Sequence, residues 1–393
     1  MLENTRAGPE KWLVGARSLT AGADALVEVG IALLILRRSG GNIGVLGMVL
    51  ALPWAAGLLS QLSAIGWIDR LPKKFILIVG SFIRAGLVLI LALIPWVGAD
   101  AFFYFLLFVV ASPSDTALHA MIPAIAPNAE GIRAINNKIQ QWEPLAQGTA
   151  YILAGVLFAG RLLTWGMGLA AVPLLIAGLV ALRLPAVATS ANSQTPTPTT
   201  SLWQTFRQSP MLIILTAISF GSSFLVLGAN VLLAPAMHRM WDQPTAHYAW
   251  ALLAIGGGQA LGGYYLTHGA RLSFSRQILI GFTGFMAGLT MLAMSHSVWL
   301  ALPTLIFMGT FNALFSRAIA IEIQSTTSQE ILGRVLSVRG LIMIIGAGLG
   351  TLAAGWIGEM AGVRAAYEIW EVVGLLGLFV LVAILNARVK RGG

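Results

Sequence analysis

Three ionisable residues stand inside the first long apolar run of this 393-residue chain: Arg17, Asp24 and Glu28. They are spaced by seven and then four residues, which puts them on one stripe of a helix. The run from Trp12 to Leu36 is long enough to cross a hydrocarbon core of about 30 Å. A charge near a bilayer centre costs roughly 2.5–3.5 kcal/mol on insertion scales, so a stripe of three belongs against protein or a water-filled path. Asp24 lies near the middle of the span, where a carboxyl is placed to carry a proton or hold a substrate. Span four adds Asp115 and His119, one turn apart, and span three adds Arg84. Two readings of Asp115 follow: an ion pair with Arg17 or Arg84, or a relay joining Asp115 to Asp24. For Glu28, the alternative to proton or substrate binding is a gate formed with a base of the second half, such as Arg317.

The elements that must position these groups are helices in a membrane. Hydrophobic residues make up 57% of the chain and charged residues 10%, with a mean hydropathy of +0.83. A soluble domain of this length needs far more charge to cover its surface. The apolar runs are continuous, which means helices and not the short alternating segments of a barrel. The net charge of +9 is spread over short loops, so it is no nucleic-acid signal. The absence of Cys removes disulfides, thiolate metal sites and thiol catalysis. The polar opening residues and the long first run predict no cleavable signal peptide.

Hydropathy predicts an all-α membrane protein of about twelve spans, near 12–36, 43–68, 75–96, 101–125, 135–159, 162–183, 210–236, 246–267, 275–296, 299–323, 333–360 and 365–387. The polar Pro/Thr stretch at 187–206 reads as a linker between an N-terminal six-helix bundle, 1–186, and a C-terminal one, 207–393. Lys and Arg favour one side by about three to one, which predicts both termini and the linker in the cytoplasm. A shift of 200 residues superposes Glu130 on Glu330 and Gly148 on Gly348, the mark of a duplicated unit with pseudo-two-fold symmetry.

Between spans two and three lies Gly66-Trp-Ile-Asp69-Arg70-Leu-Pro72-Lys73-Lys74. This turn resembles the cytoplasmic signature of the major facilitator superfamily, although Pro72 stands where a Gly is usual. The opening with Gly22-Ala-Asp24, the later Gly47 to Pro53, and Gln324 to Gly333-Arg334-Val335 resemble the drug and siderophore exporters of that superfamily, the macrolide-efflux and enterobactin-export type. The resemblance implies two bundles working by alternating access, and a cytoplasmic gate built from Asp69, Arg70, Lys73, Lys74, Gly333 and Arg334. It also implies export of a small amphipathic compound, a drug-like molecule or siderophore, coupled to protons. Span five lacks the Gly-Pro pair usual in the proton antiporters of that superfamily, which weakens antiport relative to transport generally.

Span seven, with Gly221-Ser-Ser, Gly228-Ala-Asn230 and Pro235, is expected to bend and to leave Asn230 open to a ligand, with Phe220 and Phe224 beside the bend as candidate substrate aromatics. The glycines of spans eight and eleven read as close helix packing. The five His residues make no metal-site spacing, and no nucleophile triad or zinc motif appears. The expected protein is therefore a monomeric secondary transporter of the inner membrane, with no enzymatic activity and no cofactor. A carrier of metal ions or lysolipids without proton antiport is the first alternative. A non-transporting receptor or secretion accessory on the same fold is the second.

Overall fold

A computed structural model describes residues 8–63, 71–126, 128–158, 163–186, 209–268 and 273–392. The Pro/Thr stretch at 187–206 and the turn residues Asp69 and Arg70 lie outside them. The chain divides into two compact units. One is built from Met1–Gly40 and Ala55–Ser193, the other from Gly41–Trp54 and Gln194–Gly393.

The first unit contains α1 (Pro9–Arg38), the later part of α2 (Ile43–Ser63), α3 (Lys73–Leu93), α4 (Val97–Ile125), α5 (Ala129–Leu157), α6 (Leu163–Leu169) and α7 (Ala171–Ala181). Helix α1 is buried nearly all round and packs against α4, α5, α6 and α7, the surroundings that a charged stripe within an apolar helix requires. Leu13, Ile76, Leu118, Met121 and Ile139 meet in one core at the end where α1 begins. At the other end Gly40 and Gly41, at φ +67° and +85°, turn the chain into α2, a conformation a side chain would strain.

The second unit contains α8 (Pro210–Val231), α9 (Leu233–Arg239), α10 (Tyr248–His268), α11 (Phe274–Met294), α12 (Val298–Thr326), α13 (Gln329–Ala361) and α14 (Val363–Gly392). The start of α2 belongs here. The Glu359 carboxylate accepts the Ile43 backbone N–H at 2.7 Å, satisfying one orphan donor of that helix end. The expected bend in span seven is a break at Leu232 between α8 and α9. Four of the glycines pack closely: Gly258 and Gly262 of α10 face the backbone carbonyls of Ile306 and Thr310, and Gly346 and Gly350 of α13 face those of Phe220 and Phe224, whereas Gly256 and Gly257 have open space beside them. A methyl at any of these four would meet backbone, which cannot step aside.

Ten helices among the described residues are long and apolar enough to cross a membrane, with α6–α7 and α8–α9 each forming one span. Helices α5 and α10 complete the twelve. The reason α5 falls short in hydropathy is physical: Glu130, Arg133, Lys138 and Glu143 sit in its first half, and two of them hold charges on α1.

Candidate functional site

The site is a ladder of charges on α1, read against its neighbours in the first bundle. Its rungs come at sevens: Glu10, Arg17, Asp24 and, after Ile31, Arg38. Each step rises about 10 Å. At one end Lys138 of α5 donates to Glu10 at 2.9 Å. Arg17 then takes two carboxylates: Nη1 donates to Asp115 of α4 at 2.6 Å, and Nη2 and Nε form a fork with Glu143 of α5 at 2.7 and 3.1 Å. Asp24 is held by the Arg84 guanidinium of α3. At the far end Arg38 pairs with Asp100 in the first turn of α4.

Glu28, one turn beyond Asp24, is different. Its carboxylate accepts the Tyr151 hydroxyl of α5 at 3.0 Å, and no cation pairs with it among the described residues. Arg317, the base set against it in the sequence reading, donates to the Gly263 carbonyl within its own bundle. The inventory is therefore uneven: four carboxyls, Asp24, Glu28, Asp115 and Glu143, share two guanidiniums, Arg17 and Arg84. A region holding more acids than bases favours uptake of a proton or a small cation.

Of the two bases offered for Asp115, Arg17 is the one that meets it, and Arg84 goes to Asp24. Glu143 escaped the sequence reading, and Tyr151 counted there only as an aromatic among apolar neighbours, because hydropathy treats α5 as an ordinary span. The sharp drop in hydropathy along Glu130–Glu143 was the available signal, since a charged face on a membrane helix needs charged partners. Replacing Arg17 with Gln leaves Asp115 and Glu143 facing each other without a cation. We expect a loss of about 3 kcal/mol, the lower end for a broken buried pair because Asp115 is 44% exposed. Adding Asp115→Asn and Glu143→Gln should recover most of the thermal stability in detergent, and failure to recover it would make the loss one of packing.

In the second bundle Asn230 is half-buried at the end of α8, and its side chain makes no hydrogen bond among the described residues. Phe220 and Phe224 form an aromatic row with Trp370, at centroid separations of 6.3 and 5.2 Å. Trp370 is anchored by its indole N–H on the Leu225 carbonyl. Lys74, from the expected gate, donates to the Leu182 carbonyl at 2.7 Å. Lys73 opens α3 beside it. Gly333 is exposed and Arg334 half-buried in the first turns of α13. Among the described residues, no three His, Asp or Glu side chains gather as a metal site would require.

Ten apolar helices among the described residues, with a charged seam between helices of one bundle, define a polytopic membrane protein. Neither a family model nor a curated protein matches the sequence. Solved structures do match over nearly the whole chain. The nucleoside transporter NupG is similar at a TM-score of 0.77 and 14% identity, covering 96% of this chain and 99% of that one. A bacterial homologue of the iron transporter ferroportin is similar at 0.75 and 15%, over 95% and 98%. A bacterial homologue of the human lysosomal transporter Spinster is similar at 0.72 and 15%, over 96% and 94%. The fold is that of the major facilitator transporters. At these identities the likeness concerns the fold alone.

Proposed function

We propose that this protein is a secondary transporter of the inner membrane, working by alternating access and exporting a small amphipathic compound in exchange for protons. The observation that carries the reading is Glu28, a membrane-embedded carboxyl whose one polar partner among the described residues is the Tyr151 hydroxyl. In this reading Glu28 takes up and releases the proton. Asp24 and Arg84 form the pair next to it, and Arg17 ties Asp115 and Glu143 into a support that fixes α1, α4 and α5. Residues Asp69 to Lys74, with Gly333 and Arg334, would close the cytoplasmic side. The charge bias of the loops supports cytoplasmic termini.

The direct test is flux in proteoliposomes with imposed pH gradients, screening amphipathic drugs and siderophores. Accumulation that follows the gradient and vanishes with a protonophore is the expected result. Flux of a compound indifferent to the gradient would leave a uniporter and remove the proton from the mechanism.

A further inference from the structure

The second bundle holds a cation that nothing in the proton reading uses. Arg339 sits on α13, inside the apolar stretch Ile331–Ala361. Its Nε donates to the Ser219 hydroxyl of α8 at 2.9 Å. That hydroxyl donates in turn to the Leu215 carbonyl at 2.8 Å, so its proton is committed and its lone pairs face the arginine. Ser219 is fully buried and neutral: it orients the guanidinium and leaves the charge unbalanced. Among the described residues Arg339 makes no ion pair. Its Nη1 and Nη2 meet no acceptor there, and neither is sealed from the surroundings.

The direction of the side chain is the second observation. Helices α8 and α13 run in a constant register: Gly346 lies against Phe220, Gly350 against Phe224 and Gly358 against Leu232. In that register Arg339 is level with Ile213, yet it reaches Ser219, about 9 Å further along α8 and away from the end where both helices begin. A cation placed only for packing or anchoring extends its stem toward the nearer polar interface. Arg339 does the reverse and carries its charge inward, to the residue that precedes Phe220 on α8.

We infer that Arg339 binds the anionic group of the transported compound, a carboxylate or phosphate attached to an apolar or aromatic body. The two Nη groups present the planar fork that such oxyanions accept in pairs. Phe220 follows Ser219 on α8 and stacks with Phe224 one turn further on, a flat apolar surface for the body. This inference rests on the transporter reading and narrows its substrate class from amphipathic compounds to amphipathic anions.

The test uses the purified full-length protein in neutral detergent and reads binding by calorimetry, with no gradient. The probes are naphthoate and naphthyl phosphate, their neutral counterparts naphthamide and naphthol, and phosphatidylglycerol as the lipid source of the same oxyanion. One or both soluble anions should bind more tightly than their neutral counterparts. Arg339→Gln should weaken that binding by about ten-fold or more, the scale of a lost charge-assisted hydrogen-bond pair. Arg339→Lys should fall between, because it keeps the charge and loses the fork. Ser219→Ala keeps the charge and removes the hydroxyl that orients it, so it should weaken the anions by a few-fold and leave the neutral probes unchanged, which keeps the inference testable if Arg339→Gln does not fold. Equal binding of charged and neutral probes, binding of phosphatidylglycerol alone, or unchanged anion affinity in both Arg339 variants would overturn it. Gradient-driven flux of a neutral compound indifferent to Arg339→Gln sinks the anion assignment alone. Loss of gradient-driven flux with Arg339-dependent binding intact sinks the proton reading alone.

Discussion

Asp24→Asn is expected to destabilise the protein by about 3–5 kcal/mol, the cost of removing one partner from a buried ion pair. The asymmetry of the pair sets the direction. Arg84 is 1% exposed, whereas the Asp24 side chain is 30% exposed. Deleting the carboxylate therefore strands a guanidinium that has no water to turn to, and its Nε already lacks a partner. Deleting the arginine instead leaves a carboxylate with some access to solvent, so Arg84→Met should cost less than Asp24→Asn. The double variant Asp24→Asn with Arg84→Met removes both charges and keeps most of the volume. It should recover most of the melting temperature lost in Asp24→Asn. The same variant decides between two roles for Asp24. If gradient-driven flux returns with stability, Asp24 is a structural partner; if stability returns without flux, Asp24 belongs to the transport chemistry.

Glu28→Gln has the opposite signature: little change in stability and loss of coupling. Glutamine keeps an acceptor for the Tyr151 hydroxyl and abandons no cation, because none is paired with Glu28 among the described residues. A buried polar group that keeps its hydrogen bond costs little to neutralise. The proposed reading expects flux driven by a pH difference to fall to the level of protein-free vesicles. Exchange of labelled for unlabelled compound, which needs no net proton movement, should continue. Retention of gradient-driven accumulation in Glu28→Gln would remove this carboxyl from the coupling role and return attention to Asp24.

The sequence made the stripe of Arg17, Asp24 and Glu28 legible because a spacing of seven and four needs only helix geometry to interpret. The helical class was legible for the same reason, since continuous apolar runs admit few alternatives in a bilayer. Partners were a different matter. Arg17 meets residues 98 and 126 positions away, and Arg84 meets Asp24 across 60. Nothing in a single chain says which of several spans lies against which, so Arg84 could be offered to Asp115 as readily as to Asp24. The outer rungs were missed for a subtler reason. Glu10 and Arg38 fall at or beyond the ends of the apolar run at 12–36, where a charge costs little and raises no question. They become visible as part of the seam only when Lys138 and Asp100 are seen opposite them. Arg339 carried no such spacing signal, because its inward reach depends on the register of two helices far apart in the chain.

The ladder on α1 has a consequence for how the protein is made. The first helix carries Arg17, Asp24 and Glu28, and each costs roughly 2.5–3.5 kcal/mol at mid-membrane while unpaired. Its neutralising partners follow in order: Arg84, then Asp115, then Glu143, the last of them 126 residues after Arg17. At a synthesis rate of about 5–20 residues per second, that interval lasts roughly 6–25 s. Through it the first span is a poor resident of lipid, and the translocation machinery has to shelter it until α3, α4 and α5 emerge. Assembly of this bundle is thus timed by the ribosome, one rung at a time.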